Sequence, residues 1–469
     1  MSKHFSNGYT YIWIPLLLIG LQSCFVGKVY QRPEVATDSL YRMDTTLSAD
    51  STSMADLPWE ELFTDTVLQG YIHRAISNNL DIRTAIENIR VAEAYLKQGK
   101  AGNLPTLNAQ GNYTLLKPSE YGQYAGLDKD VLNQFDLTAT LSWEADIWGR
   151  IRSQKRALQD QYLQSVAAQK AVQTRLVASV ASLYYQLLSL DKQAQIATTS
   201  IADRKNSLRV NKALKEGGKV TAVAIKQAEA QVYSAQLILV DLKKNIQLLE
   251  SAFSLLLGDP PHAIARTELD QQAIPVPLET GVPSLLLENR PDIMAAEYSL
   301  MNAFELTNVA KAQFYPSLTL TASAGLQSTE LDHWFSTSAL FSSVAAGLFQ
   351  PILNGRKIRT QYEVALSQKE IALLDYKQAL LGAGQEVSDA MKNYQSATTS
   401  IAIQKKQVAA LQLATEYSQK LLNNGLANYL EVLTARQQAL SAQLQLVDSH
   451  YQQLHAIVTL YQALGGGWQ

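Results

Sequence analysis

The chain is written twice. Asn79-Leu80-Asp81-Ile82 leads to Leu104-Pro105-Thr106-Leu107, and Arg290-Pro291-Asp292-Ile293 leads to Tyr315-Pro316-Ser317-Leu318, with 24 residues from the aspartate to the proline each time. Gly149-Arg150-Ile151-Arg152 returns as Gly355-Arg356-Lys357-Ile358-Arg359. Ser234-Ala235-Gln236-Leu237 returns as Ser441-Ala442-Gln443-Leu444, and Leu257-Gly258 as Leu464-Gly465. The offsets are 211, 206, 207 and 207, so the second copy is about five residues shorter between Pro316 and Gly355. A period near 207 far exceeds the ~20–50 residues of a solenoid repeat, so the duplicated piece is domain-sized. Whatever one copy folds into, the chain must hold two of them.

Within one copy the period changes. Leu68, Ile72, Ala75, Ile76, Leu80 and Ile86 recur at three and four, which predicts a helix over 66–101. Asn103 and Pro105 end it, because proline blocks a helix and biases its predecessor toward extended backbone. The period then becomes two. Leu107, Ala109, Gly111, Tyr113 and Leu115 alternate with polar residues, and Leu137, Ala139, Leu141 and Trp143 do so again beyond a loop with Pro118, Gly122 and Gly126. Both strands approach the ~9–11 residues that cross a bilayer. Their polar faces are mostly uncharged Thr, Asn, Gln and Ser, which suits a wetted lumen. Alternation alone also allows a soluble sandwich. In the second copy Leu318, Leu320, Ala322 and Ala324 alternate well, while the partner strand at about 340–354 alternates poorly.

No Gly or Pro falls between Gly149 and Gly217. A helix across 149–216 would be about 100 Å long at ~1.5 Å per residue. The second copy gives 356–424, interrupted only by Gly382 and Gly384. Gly217-Gly218 and Gly425 then reverse the chain into shorter helices at about 220–257 and 427–464. The expected organisation is 1–23 signal peptide, 24–65 extended segment, 66–265 first repeat, 266–288 linker and 289–469 second repeat. Barrel strands fall at about 105–148 and 316–354, and long helices at about 149–257 and 355–464.

Lys3 and His4 precede an apolar run from Ile12 to Gly20, broken only by Pro15. That is too short for the ~20 residues of a membrane helix and reads as a secretory signal. Leu21-Gln22-Ser23-Cys24 resembles the bacterial lipoprotein cleavage box. The resemblance implies lipid attachment at Cys24, the single cysteine, as the first residue of a 446-residue mature chain. No later segment has ~18 apolar residues, so any crossing must use strands of a closed barrel. Four strands cannot close, since known small membrane barrels have at least ~8 and an open edge leaves backbone groups unpaired in hydrocarbon. Two copies or more must therefore assemble, with cyclic symmetry the default.

Charge is balanced, 40 basic against 42 acidic residues, so nucleic acid is a poor partner. Charged residues make up 17%, below the ~25% of soluble domains, which suits long helices with small, uncharged contact faces. His4, His73, His262, His333, His450 and His455 show no metal-ligand spacing. Gly465-Gly466-Gly467 has no strand before it and no Lys-Ser/Thr after it, and no Gly-x-Ser-x-Gly elbow occurs. No enzyme, cofactor or metal is expected.

Four stretches carry a family resemblance over nearly the whole mature chain. They are Val29-Tyr30-Gln31-Arg32-Pro33, Arg290-Pro291-Asp292-Ile293 with Ala296-Glu297, Tyr315-Pro316, and Tyr461-Gln462-Ala463-Leu464-Gly465-Gly466-Gly467-Trp468. By these the chain resembles the outer-membrane efflux protein (TolC-like) family, in the lipoprotein branch of the RND-type efflux outer-membrane factors. The resemblance implies a homotrimer sharing a 12-stranded transmembrane β-barrel, continued by a periplasmic α-helical barrel. It implies a lipid-anchored outer-membrane duct, passive, docked on a periplasmic adaptor (membrane fusion) protein and an inner-membrane RND-type pump. It also implies site residues. Leu430 matches the apolar pore constriction, Glu431 falls where the family often has one Asp, and Thr434 falls where it usually has another. The chain reversals at Gly217, Gly218, Lys219 and Val220, and at Gly425 and Leu426, match the adaptor-docking tips. Small-molecule efflux is the expected cargo. A type I protein-secretion duct on the same fold and a soluble periplasmic coiled-coil scaffold are the alternatives.

Overall fold

The computed structural model describes residues 27–34, 40–41, 53–117, 119, 121, 131–272, 280 and 285–469. The expected signal peptide, Cys24, and parts of the expected extended segment and linker lie outside the described residues. Both copies have the same order of elements. In the first, α1 (Thr66–Asn78) and α2 (Leu80–Ala101) precede β1 (Thr106–Leu116) and β2 (Leu132–Ala145), then α3 (Arg150–Glu216) and α4 (Ala222–Leu256). In the second, a single turn (Leu286–Asn289) and α5 (Pro291–Ala312) precede β3 (Ser317–Ser328) and β4 (Leu340–Phe349), then α6 (Lys357–Asn423) and α7 (Tyr429–Leu464). The shorter loop of the second copy is found between β3 and β4, 11 residues against 15 between β1 and β2.

Three expectations are corrected. The helix over 66–101 breaks at Asn79, whose backbone is extended at ψ 134°. The Asn79 carboxamide oxygen accepts from the N–H groups of Asp81 at 2.9 Å and Ile82 at 3.2 Å and so starts α2. Asn offers the backbone this alternative to a continuing helix. At the matching place in the second copy, Pro291 opens α5 instead, its missing N–H costing nothing in a first turn. Gly382 and Gly384 do not interrupt α6. A Cβ at Gly384 would lie 2.7 Å from the Leu40 carbonyl oxygen, so that glycine lets the extended segment cross the helix closely. Finally, β4 ends at Phe349 rather than near 354, two residues before Pro351.

The chain forms two compact units, and each takes material from both copies. The first comprises the described parts of 1–33 with 90–164 and 297–375; the second comprises the described parts of 34–89 with 165–296 and 376–469. The boundaries fall inside α2, α3, α5 and α6.

The first unit holds the sheet, a single antiparallel layer in the order β1-β2-β3-β4. Its helical part is tied by polar bonds. Arg156 donates to both oxygens of Glu305 at 2.7 and 2.9 Å, and Asn302 donates to the Ala157 carbonyl at 2.6 Å. The segment at 28–32 is strapped to α5. Lys28 N–H donates to Asn308 at 3.1 Å, Asn308 donates back to the Lys28 carbonyl at 3.0 Å, and Arg32 pairs with Glu297 through two bonds of 2.6 and 2.7 Å.

The second unit has the larger apolar core, with Leu62, Phe63, Leu68, Ile72, Tyr184, Leu187, Phe253 and Tyr461 fully enclosed. Both copies close there in the same way. Gly258 and Gly465, at φ 74° and 95°, end α4 and α7. A Cβ on them would meet the carbonyl oxygens of Asn78 at 2.8 Å and Asn289 at 2.2 Å. The next residues, Asn79 and Arg290, donate to the carbonyls of Leu256 at 2.9 Å and Ala463 at 3.0 Å. Leu256 and Ala463 are themselves 207 apart, so these are one bond made twice. Arg290 is buried and also pairs with Asp292 and Glu386, each at 2.6 Å. Burial raises the Asp292 carboxyl, but the Arg290 bonds and charge outweigh this and hold it below its ordinary value.

Candidate functional site

The first functional surface is the sheet. Register carries one face across all four strands. Leu107 opposes Leu141, Leu141 opposes Ala322, and Ala322 opposes Val344; one step along, Ala109, Ala139, Ala324 and Ser342 align. The other face aligns Asn108, Thr140, Ser323 and Ser343. The poor alternation of β4 is thus compensated by its partners, which fix which way its side chains point. Among the described residues no second layer covers either face. Leu107, Tyr113, Leu115, Leu340, Val344 and Leu348 are each at least 60% exposed on the apolar side. A sandwich needs a facing sheet, and a contiguous uncovered apolar face marks an interaction or membrane surface. Aromatic residues gather at both ends of the strands. Tyr113, Phe135, Trp334 and Phe335 form a run with centroids 4.8–5.5 Å apart at the loop end, and Trp148 stacks on Tyr315 at 4.8 Å at the helix end. Such girdles flank the apolar band of a membrane barrel. No helix is long and apolar enough to cross a membrane among the described residues. Among the described residues β1 and β4 each keep one edge unpaired.

The second surface is the pair of chain reversals in the second unit. α3 ends with Gly218 N–H donating to the Lys215 carbonyl and Lys219 N–H to Leu214, both at 2.9 Å. α6 ends with Gly425 N–H donating to Leu422 at 3.0 Å and Leu426 N–H to Leu421 at 2.9 Å. Both are Schellman closures, with the left-handed residue at Gly218 (φ 71°) and Gly425 (φ 76°). Gly217 is not in the left-handed region, and its counterpart is Asn424, so only the second glycine of the doublet makes the turn. Thr221 and Asn428 then cap α4 and α7, accepting from Ala224 N–H at 3.3 Å and Glu431 N–H at 3.1 Å.

Leu430, Glu431 and Thr434 lie together on the exposed face at the start of α7, with Leu430 56% exposed; Val432 points the other way and is fully buried. Glu431 stands in the first turn, where a carboxylate also complements the helix dipole. The first copy has Val223, Ala224 and Gln227 at these three places, so the acid is single per chain.

Behind this face lies a cation that the sequence reading missed. Arg204 is 7% exposed and has no carboxylate partner among the described residues. It donates instead to neutral acceptors, the Ser200 hydroxyl at 3.2 Å, the Gln231 carbonyl at 3.1 Å, the Gln231 side chain, and Gln437 at 3.0 Å. Desolvation and then the nearby Arg436 lower its pKa. Apart from Ser200 one turn back, its partners are 27 and 233 residues away, so no local motif announces it. Arg204 and Arg436 line an open groove of about 730 Å³ between α3, α6 and α7, with mainly polar walls. Burial also raises the pKa of Tyr429 beside them.

Comparison with known proteins gives a consistent result. The family described as outer membrane efflux protein matches twice, over residues 71–259 and 282–466, once for each copy. The probable efflux pump outer membrane protein SepC of Pseudomonas putida is 30% identical over 463 residues, covering 96% of both chains. The probable outer membrane lipoprotein SilC of Salmonella typhimurium is 27% identical over 441 residues, covering 94% of both. The solved structure of the outer-membrane channel OprN superposes with a TM-score of 0.88 at 25% identity, covering 95% of this chain and all of that one. The chain therefore belongs to the outer membrane efflux protein family and is the outer-membrane component of an efflux system.

Proposed function

We propose that three copies close one barrel of twelve strands and form a passive exit duct for small molecules. β4 of one copy pairs with β1 of the next, which leaves no edge in hydrocarbon. The observation that carries this reading is the single-layer sheet with an uncovered apolar face and two free edges. The chain does no chemistry of its own. The hairpin ends at Gly217–Val220 and Gly425–Leu426 dock on a periplasmic adaptor, and an inner-membrane RND-type pump supplies the energy. Cys24 carries the lipid, in keeping with the cleavage-box resemblance and with a relative named as a lipoprotein. Leu430 narrows the axis, and Glu431 contributes one carboxylate per copy to a ring near the mouth, favouring cations there. Thr434 lies on the same face without charge.

The test is recovery and conductance. The protein is expected in outer-membrane fractions as a heat-modifiable trimer, and recovery in the soluble periplasm would overturn the duct. In planar bilayers Glu431→Ala is expected to reduce cation preference. An unchanged reversal potential under a salt gradient would reject the carboxylate ring and leave the duct standing.

A further inference from the structure

The two hairpin ends have the same backbone and different charge. Residues 203–229 hold seven basic and three acidic side chains, while the matching residues 410–436 hold two of each. The whole chain carries a net charge of −2, so the +4 at the first end is a local concentration. Position by position at the 207-residue offset, Lys205, Arg209 and Lys212 face Gln412, Glu416 and Gln419. Lys215, Lys219 and Lys226 face Leu422, Leu426 and Leu433. All six cations are exposed. Lys212 and Lys226 share Glu229 at 3.9 and 2.8 Å; Lys205, Lys215 and Lys219 make no ion pair among the described residues.

One ordinary explanation accounts for part of this. Cations in a last helical turn complement the dipole, which covers Lys215. That does not cover Lys205 and Arg209, two turns or more from the end of α3. Nor does it cover Lys226, in the first turns of α4, where a cation opposes the dipole. A plain solvated face would alternate sign. Here Lys205, Arg209, Lys212 and Lys215 follow at spacings of four, three and three, where like charges repel and weaken a helix. The repulsion costs stability locally, and Glu229 offsets it only at Lys212 and Lys226, so an outside negative charge would relieve the rest.

The shape indicates what brings it. None of the six cations lines the open groove, which lies on the other flank of α3. They form a convex ridge on the end of a helical hairpin. A convex ridge suits another protein surface, since small molecules bind in concave sites. We infer that the first hairpin end, the ridge Lys205–Arg209–Lys212–Lys219 with Lys226, is a docking surface for a protein partner whose contacting helix tip is acidic, while the second end makes an uncharged contact through Leu426. The inference rests on the reading of the hairpin ends as docking ends, and it assigns them different chemistry. In a threefold ring it gives six ends of alternating character, so a ring of partner tips would meet charge at every second position.

The experiment uses the full chain purified in detergent and three synthetic two-helix hairpin peptides that differ only in their turns, carrying four Glu, four Gln or four Lys. The Glu hairpin is expected to bind at least about tenfold tighter than the Gln hairpin at 50 mM NaCl, with the preference shrinking at 500 mM as screening shortens to a few ångströms. The triple variant K205E/R209E/K212E is expected to invert the preference toward the Lys hairpin, and K205Q/R209Q/K212Q to abolish it. Heat-modifiable oligomers on gels check that both variants assemble. Equal binding of Glu and Gln hairpins, no binding of either, or a preference that survives the charge reversal overturns the inference. Photo-crosslinks from Val220 and Ala427 to a co-expressed adaptor test docking separately. Crosslinks without a Glu preference retain docking and remove the acidic tip, and no crosslinks at either position removes docking itself.

Discussion

The two copies agree where their chains close and disagree where their surfaces end. At the closure, Asn79 and Arg290 reach the same carbonyl of the helix returning to them, at Leu256 and Ala463, although one is a short amide and the other a guanidinium. Gly258 and Gly465 sit against the same backbone oxygen of the preceding helix in each copy. At the hairpin ends, Gly218 and Gly425 make the same turn, yet almost every charged side chain around the first has a neutral counterpart around the second. The two copies have kept the backbone contacts that admit one solution, while the exposed side chains at the hairpin ends have diverged.

The largest expected effect tests the shared closure. Gly465→Ala places a Cβ 2.2 Å from the Asn289 oxygen in a left-handed residue, and Gly258→Ala places one 2.8 Å from the Asn78 oxygen. Overpacking and backbone strain together give a cost of about 3–5 kcal/mol for the first, with a smaller one for the second. The temperature at which the purified oligomer dissociates on gels should fall for both variants, and further for Gly465→Ala. Equal losses would mean that the two closures are mechanically the same despite their different distances.

A medium effect tests an asymmetry in the first unit. Asp160 is buried near Glu305, whereas its counterpart at the 207-residue offset, Ser367, is exposed. Burial, and then Glu305, push the Asp160 carboxyl up to about 6. A folded-state pKa above the unfolded value of about 4 means that this group favours the folded state most at low pH and loses that contribution as pH rises through 4 to 6. Asp160→Asn should therefore stabilise the protein by about 2–3 kcal/mol at pH 8 and hardly at all at pH 4. Melting by circular dichroism at the two pH values checks it. A gain that is the same at both would remove the carboxyl as its source.

The smallest effect separates the glycine doublet. Gly218→Ala forces a left-handed alanine and should cost about 1 kcal/mol, while Gly217→Ala should be neutral. Protease nicking at the hairpin end reads this locally, and equal nicking of the two variants would contradict the turn assignment.

Much of this architecture is legible in the sequence. The duplication, the four strands and the long helices follow from period and punctuation, because each signal is local and repeated. The break at Asn79 is hidden, since the apolar period runs straight through it and only the side chain at the cap stops the helix. Pro291 at the same place in the second copy carried the hint. The sense of β4 is hidden for another reason: both its faces mix large apolar and small residues, and its partners orient it through register. Leu430, Glu431 and Thr434 could be placed on one helix face from spacing alone. Arg204 could not be found, because its acceptors are neutral and all but Ser200 come from two other helices. The basic ridge was masked by an overall charge near zero, although its spacing of seven from Lys205 to Lys212 to Lys219 was there to be read.

α3 and α6 have the same length, 67 residues each, although the loops between the strands differ by four. One inserted residue in either helix would advance its end by ~1.5 Å and rotate everything beyond it by about 100°. The ridge of one hairpin would swing to a different side while its sibling stayed put. Length changes should therefore accumulate freely in the strand-connecting loops of this lineage. In the long helices they should survive only as matched pairs, one in each copy, or in steps of seven that restore the rotation. Each helix acts as the other's ruler.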